Sequence, residues 1–317
     1  DREAEPRPAC AGALVAAAPF YGKVHSLGEF VFDFDFAFLA EELGAAYYPK
    51  LVGMVPATPV PAWRPLAAPG ADGAALQELV LGAAVRSARA SGFAGVQINW
   101  PAEDFMTPAA DDGTAGTGAG GSAAFREWRH GAYLWEDAGY GDFQGYLASM
   151  TKNMRRNILR ERRSVAAAGL ETRIVGAAEA AADVRLLPLM ADLYASTNDK
   201  FGPWGARFLE RDFFLRLPEF LPEGWFLSAA FRGREPMALA LLFEDGENLY
   251  GRYWGSSEFV EGLHFELCYY LPMEHALRTG KKRFDPGMGG EHKARRGFRS
   301  RTRSEEHTSE LQSPNTI

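Results

Sequence analysis

The spacing of apolar and polar residues along the chain predicts an alternation of strands and helices. Strands are indicated where apolar residues fill short stretches, and helices where they recur every three or four positions before a glycine. In the first half, the predicted elements are strands at 14–24, 29–34 and 96–100, helices at 36–43 and 74–90, and an extended, proline-interrupted segment at 47–60. This half therefore has a short α/β pattern.

The second half has a denser pattern, which contains an antiparallel meander. We predict helices at 142–168, 178–196 and 263–279, and strands at 171–175, 225–231, 237–243, 248–254 and 283–286. Residues 101–124, between the halves, are rich in Gly, Ala, Thr and Asp and have little to bury. Such a composition is typical of a flexible loop near a domain boundary.

The order of elements in the second half resembles that of an acyltransferase unit of the GNAT type, and the first half offers a shorter, incomplete version. We therefore predict an α/β (α+β) fold of two tandem GNAT-like units, at 1–135 and 136–302. Mixed, mostly antiparallel sheets flanked by helices would let every element bury one side.

The stretch GLHFELCYYLP at 262–272 places polar and ionisable groups in an apolar segment. Its local pattern fits a strand as well as a helix, but the length of the apolar segment favours a helix, which Pro272 is expected to kink. Zinc is not predicted, because His275 lies too far along the helix to share an ion with His264 and Cys268. His264 and Glu266 either orient a substrate amine or are hydrogen-bonded within the core.

Charge is unevenly distributed along the chain. The formal net charge of -7 argues against nucleic-acid binding by the whole surface, although a local basic patch can act through its own field. The run KNMRRNILRERR at 152–163 forms such a patch. It is either a solvated helix face or a cradle for the phosphates of a nucleotide-linked precursor, a tRNA or coenzyme A. On a helix its broad basic face is made by Lys152, Arg155, Arg156, Arg160 and Arg163.

The predictions of the cellular location and of the natural chain ends depend on weaker patterns. No apolar run is long enough to span a membrane, and Cys10 and Cys268 give no disulfide framework, so a cytoplasmic protein is predicted. The chain begins without methionine, and we expect its natural beginning to be missing. The polar segment 303–317 looks like a translated sequencing adapter, so the natural chain is predicted to stop near Arg301.

Several short motifs together resemble the FemAB-like family of predicted peptidoglycan-biosynthesis N-acyltransferases. They are HSLGEFVFD at 25–33, YYPKL at 47–51, RRNILRER at 155–162, LYGRYWG at 249–255, LHFELCYY at 263–270 and GEHKARRGF at 290–298. The resemblance covers most of residues 14–300 and implies GNAT-related units, of which the first lacks its opening strand and helix. Whether such a shortened chain is active stays open.

A more distant similarity concerns the aminoacyl-transferring Fem enzymes, which attach amino acids from aminoacyl-tRNA to a peptidoglycan precursor. Their Phe-Lys pair lies close to a Phe-Gly, whereas here Lys293 follows a histidine and Gly297 precedes Phe298. The resemblance implies either aminoacyl-tRNA or acyl-CoA as the donor, and a cell-wall precursor or another amine as the acceptor. A CoA-dependent enzyme acting on a small amine and a non-catalytic precursor-binding protein are the alternatives.

Acyl transfer to an amine needs a base for the ammonium proton and donors for the carbonyl oxygen. We predict His264 or Glu266 as the base. No nucleophile motif is present, so direct attack by the amine in a ternary complex is expected. The predicted oxygen donors and substrate contacts in the second half are Lys293, His292, Arg252, Tyr269, Trp254 and Glu291. Those in the first half are His25, Ser26, Glu29, Tyr48 and Lys50.

Overall fold

The computed structural model describes residues 13–31, 33–102, 105, 125–200, 208–288 and 290–308. Ten strands form one mixed sheet in the order β2-β3-β5-β12-β6-β11-β10-β9-β8-β7, and β1 pairs separately with β4. The neighbours β3 and β5 are parallel, as are β10 and β11, and the other pairs are antiparallel. The strands are β1 (Ala16–Ala17), β2 (Phe20–Lys23), β3 (Lys50–Gly53), β4 (Leu66–Ala67), β5 (Gly95–Asn99), β6 (Phe125–Glu136), β7 (Glu171–Gly176), β8 (Trp225–Arg232), β9 (Glu235–Asp245), β10 (Asn248–Ser256), β11 (Arg283–Asp285) and β12 (Arg299–Thr308).

Helices flank this sheet. A π-helical turn (Glu266–Tyr270) joins α8 to α9, and a 3-10 helix (Glu291–Arg296) precedes β12. Of the helices in the described ranges, none is both long and apolar enough to cross a membrane. The α-helices are α1 (Phe34–Glu42), α2 (Gly73–Ala90), α3 (Phe143–Ser149), α4 (Lys152–Ala167), α5 (Ala177–Ala182), α6 (Leu186–Asp199), α7 (Arg211–Phe220), α8 (Leu263–Phe265) and α9 (Leu271–Thr279).

Apolar cores lie on both faces of the second-half strands, as the burial of every strand side requires. On one face, Ile158 of α4 packs with Leu267 and Met273 of the α8–α9 segment. On the other, Met190 of α6 and Phe214 of α7 pack against β8 and β9. The predicted mostly antiparallel α/β architecture is thereby confirmed.

Strands β6 and β12 join the halves into a continuous sheet. β12 pairs with β6 from Arg299 to Thr308, and its far end also pairs with β5 of the first half. Residues 303–308 therefore belong to a strand, and the interpretation of 303–317 as an adapter stays a prediction. The same holds for the boundary between 135 and 136, which falls at the end of β6.

Two predicted long helices are each divided in the structure. The helix at 142–168 breaks where Met150 is extended, and Thr151 then caps α4 through its side chain. The helix at 178–196 breaks around Asp183, which is also extended. Neither break contains a glycine or a proline, so the spacing of apolar residues alone predicted one continuous helix in each case.

Other differences concern short elements. The predicted strand at 29–34 is wrong, since a turn at Phe30, with φ of 57°, leads directly into α1. Strand β6 and helix α7 were not predicted. The helix at 263–279 is confirmed, with a π-helical turn just before Pro272. Most of the predicted flexible loop at 101–124 lies outside the described residues.

Candidate active site

Gly262 sets the position of the helix that carries His264. Its φ of 86° favours glycine, and an added Cβ would lie 2.7 Å from the Glu161 carbonyl oxygen. The close approach places α8 directly against α4. His264, two residues later, then packs its ring against Trp254 of β10, with ring centroids 4.7 Å apart.

Residues from three predicted motifs meet around His264. Its ring lies 5.5 Å from that of Tyr269 and 6.1 Å from that of His292, between centroids. The Tyr269 hydroxyl and His292 Nε2 form a hydrogen bond of 3.1 Å. Lys293, which follows His292 in the chain, is buried. Its Nζ donates to the carbonyl oxygens of Gly287 at 2.8 Å and Met288 at 3.1 Å.

Burial and nearby positive charge keep these imidazoles neutral at pH 7. Burial, followed by the neighbouring His292 and Arg296, lowers the pKa of His264 from 6.5 to about 4. The pKa of His292 is also lowered, first by burial and then by Arg296. Burial raises the pKa of Tyr269, whose hydroxyl stays protonated and able to donate. The His264 nitrogens make no hydrogen bond to any residue within the described ranges, so the ring can accept a proton.

Glu266 lies apart from this cluster, because residues two positions apart on a helix point to different sides. Arg162 donates to both of its carboxylate oxygens at 2.9 Å and to Glu274 at 2.8 Å. Burial nevertheless holds the pKa of Glu266 above its ordinary value. The geometry gives Glu266 a place in an ion pair, and its role as a base stays a prediction.

Sequence reasoning missed a second buried ion pair, between Glu161 of α4 and Arg296 of the 3-10 helix. Arg296 Nη2 contacts both Glu161 oxygens, at 2.8 and 2.9 Å, and Nε donates to Tyr270 at 2.7 Å. The Tyr270 hydroxyl in turn donates to Glu161. Glu161 lies inside the basic run and Arg296 lies 135 positions away, so no local pattern pairs them.

Arg252 and Tyr253 of β10 connect the second half to the first. Arg252 donates from Nε to Thr58 Oγ1 at 2.8 Å and from Nη2 to Asp285 at 3.2 Å. The Tyr253 hydroxyl donates to the Ala57 carbonyl oxygen at 2.9 Å. The geometry therefore assigns Arg252 to the junction between the halves. The side chain of Glu291, another predicted contact, lies outside the described residues.

The predicted first-half residues form a separate cluster around Lys50. Its Nζ contacts Ser26 Oγ, Asp33 Oδ2 and Gln97 Oε1, each at 2.7 Å, and Glu29 Oε2 at 3.2 Å. Lys50 is 3% exposed, so the alternative that it is a solvated loop residue is wrong.

Tyr48 and Asn99 also belong to the Lys50 cluster, whereas His25 does not. The Tyr48 hydroxyl contacts Ser26 at 2.8 Å, whereas His25 is exposed and accepts a bond from the Leu27 amide. Burial alone would raise the pKa of Asp33, but the Lys50 ammonium outweighs it and lowers that pKa. The amides of Gln97 and Asn99, unusual in the buried strand VQIN, were the signal that sequence reasoning overlooked.

Several polar atoms of the Lys50 cluster remain unused by the described residues. Glu29 Oε1, Asp33 Oδ1, Gln97 Nε2 and Asn99 Oδ1 are buried and have no hydrogen-bond partner within those ranges. Among the residues that the structure describes, no hydrogen bond or ring contact joins the Lys50 cluster directly to the His264 cluster. The predicted residues therefore lie in two clusters that no direct hydrogen bond connects within the described residues.

The predicted basic face lies on α4, where its cations are exposed. A groove of 420 Å³ is lined by Lys152, Arg155, Arg156, Leu159 and Arg163. Arg160 is also exposed, and within the described ranges none of the five predicted cations forms an ion pair with a carboxylate. The groove residues lie on the side of α4 opposite Glu161, the residue through which α4 contacts the 3-10 helix.

Comparison with solved structures identifies two proteins of the same fold, each with a TM-score above 0.5, and a weaker similarity to FemX. The C-terminal domain of a protein named as a lysylphosphatidylglycerol synthetase, from Agrobacterium fabrum, is 14% identical, with a TM-score of 0.53 over 82% of this chain and 78% of that one. The L-PGS of Bacillus licheniformis is 11% identical, with a TM-score of 0.51 over 84% and 79%. FemX is 13% identical, with a TM-score of 0.45 over 81% and 83%.

Sequence comparisons supply the family. No curated protein sequence matches the chain. The model of the FemAB-like family, described as peptidoglycan biosynthesis/recognition, matches residues 7–313. The chain belongs to the FemAB-like family.

Proposed function

We propose that the protein is a cytoplasmic N-acyltransferase that transfers an acyl or aminoacyl group to an amine in peptidoglycan-precursor metabolism. The observation that carries this proposal is the His264 imidazole, which is neutral at pH 7 and has no hydrogen bond within the described residues. It lies beside the Tyr269–His292 hydrogen bond, so a proton acceptor and a hydroxyl donor occupy one cluster.

These groups fit the chemistry of amide formation. The amine nitrogen attacks the acyl carbonyl carbon, a C–N bond forms, and the bond from that carbon to the oxygen or sulfur of the donor breaks. The proton lost by the nitrogen passes to His264 and from there to the departing oxygen or sulfur. Tyr269 and Lys293 supply the N–H and O–H groups that the negative carbonyl oxygen needs.

The groove on α4 supports a phosphate-bearing donor or acceptor. Its cations have no carboxylate partner within the described ranges, and they adjoin the positive N-terminus of α4. The Lys50 cluster, with its unused polar atoms, is proposed as a second contact for the acceptor.

Aminoacyl transfer is the form of the reaction that we favour, with aminoacyl-tRNA as the donor and a cell-wall precursor as the acceptor. The family description and the name of the Agrobacterium fabrum protein, a lysylphosphatidylglycerol synthetase, support it.

A transfer assay with mass-spectrometric detection tests the function. The full chain is incubated with an amine-bearing wall precursor and either acetyl-CoA or aminoacyl-tRNA. Product from aminoacyl-tRNA supports the proposal, and product from acetyl-CoA alone favours a CoA-dependent enzyme instead. Tight precursor binding with no product from either donor would make the chain a binding protein.

A further inference from the structure

Arg296 lies where three elements of the candidate site meet. Besides its bonds to Glu161 and Tyr270, it donates from Nη1 to the His292 carbonyl oxygen at 3.0 Å. Its guanidinium carbon lies 3.4 Å from the centre of the Phe265 ring. That ring is 5.4 Å from His264 and 5.6 Å from His292, between centroids, so it contacts the guanidinium and lies beside both imidazoles.

We propose that Arg296 is a positioning residue of the transfer site, which ties the 3-10 helix carrying His292 and Lys293 to α4 and to the turn behind His264. The guanidinium is 7% exposed and Glu161 is 8% exposed, so each charge depends on the other for compensation. The planar fork contacts the carboxylate, the phenol and the carbonyl oxygen together, which a lysine ammonium does not reproduce. This inference deepens the proposed function and takes its catalytic meaning from it.

A second consequence is electrostatic. The charged and titratable groups that face the two histidines are Arg296 and Lys293 of the 3-10 helix, Glu161 of α4 and Tyr269 of the π-helical turn. Arg296 lowers the pKa of both imidazoles, and Glu161 opposes it at His292 only. Burial is the main cause of the lowered pKa of His264, and Arg296 adds to it from the same position in which it holds the 3-10 helix in place.

Two variants separate these effects. Arg296→Lys keeps the charge and loses the fork, so the hydrogen exchange of the Lys293 and Phe298 amides should accelerate by at least about tenfold. The kcat should fall by about tenfold or more with little change in KM, because the groups are misplaced but still present. The double variant Glu161→Gln/Arg296→Gln removes both charges, and the NMR titration midpoint of His264 should rise, although burial and His292 keep it below 6.5.

Arg162→Lys is the matched control for Arg296→Lys. It makes the same change in the neighbouring guanidinium of α4, which pairs with Glu266 and Glu274, and should leave the exchange of the Lys293 and Phe298 amides unchanged. Wild-type amide exchange in Arg296→Lys, or an unmoved His264 midpoint in the folded double variant, would overturn the inference. If Arg296→Lys does not fold, the double variant still decides the electrostatic part.

The exchange and titration readouts require no turnover, so they separate this inference from the proposed function. If they change as expected while no donor gives a product, the positioning role stands and the transferase proposal fails. If product forms and Arg296→Lys is indistinguishable from the wild type in all readouts, the transferase proposal stands and the positioning role of Arg296 fails.

Discussion

Two buried cations, Lys50 and Arg296, each hold several segments together through their side chains. Lys50 joins the turn before α1 to β3 and β5, and Arg296 joins the 3-10 helix to α4 and the π-helical turn. Both are compensated by buried carboxylates, so removing either cation leaves a negative charge in the interior.

Replacing Lys50 should therefore destabilise the fold strongly. In Lys50→Met, Glu29 and Asp33 lose their buried cation, and we expect the free energy of unfolding to fall by about 3–5 kcal/mol in urea titrations. Lys282→Met is the control, because that lysine is 51% exposed in its pair with Asp137. A surface pair contributes about 1 kcal/mol or less. Equal losses of unfolding free energy in the two variants would contradict the account that buried Lys50 compensates Glu29 and Asp33.

The lowered pKa of His264 predicts a loss of stability in acid. The unfolded chain binds a proton at His264 below about pH 6.5, whereas the folded chain does so only near pH 4. The contribution is complete above pH 6.5 and should decrease by about 2–3 kcal/mol on acidification to pH 4.5. Urea titrations give the free energy of unfolding at pH 7 and pH 4.5. Its decrease between these two pH values should be about 2–3 kcal/mol smaller in His264→Gln than in the wild type. An identical decrease would mean that His264 is not desolvated.

At the scale of elements, the contact between α8 and α4 depends on Gly262. Both Gly262 and Gly280 have positive φ, of 86° and 75°, but only Gly262 has backbone atoms of another element within reach of an added Cβ. Gly280→Ala should cost about 1–2 kcal/mol of unfolding free energy from backbone strain alone. Gly262→Ala should cost about 1–3 kcal/mol more, because α4 must move. Equal costs would show that α4 is not held tightly against α8.

The groove on α4 makes a prediction about anion binding. Calorimetry should detect pyrophosphate binding to the full chain, and the affinity should fall as salt increases. Arg155→Glu/Arg156→Glu should weaken the binding by about tenfold or more, because two cations become anions. Arg86→Glu/Arg89→Glu on α2 makes the same change in total charge and serves as the control. Equal weakening in both variants would point to net charge and not to the groove.

At the scale of the whole molecule, sequence reasoning succeeded where apolar periodicity is strong and local. Helix α2 and the meander β8–β10 carry regular patterns bounded by glycine or tight turns, and both were predicted within a few residues. The division between α3 and α4 was missed, because its one polar signal is the cap Thr151 within a continuous apolar pattern.

Long-range pairing was beyond the sequence for a different reason. The continuous sheet depends on β12 lying between β5 and β6, and neither pairing leaves a trace in local composition. The same is true of the ion pairs Glu161–Arg296 and Arg162–Glu266, whose partners lie more than a hundred positions apart. The predicted site residues therefore lie in two clusters. The Glu161–Arg296 pair beside the second cluster has one partner in the basic run at 152–163 and the other in the GEHKARRGF motif.

The rate constant for a single turnover of transfer in His264→Gln tests the central claim, that His264 accepts the proton of the attacking amine. With saturating donor and acceptor, it should be lower than in the wild type by about 10²–10⁴-fold, the usual contribution of a positioned base. His275→Gln, in a histidine that stacks on Phe226 away from the cluster, should stay within about twofold of the wild type. A wild-type rate constant in a folded His264→Gln protein would contradict the account.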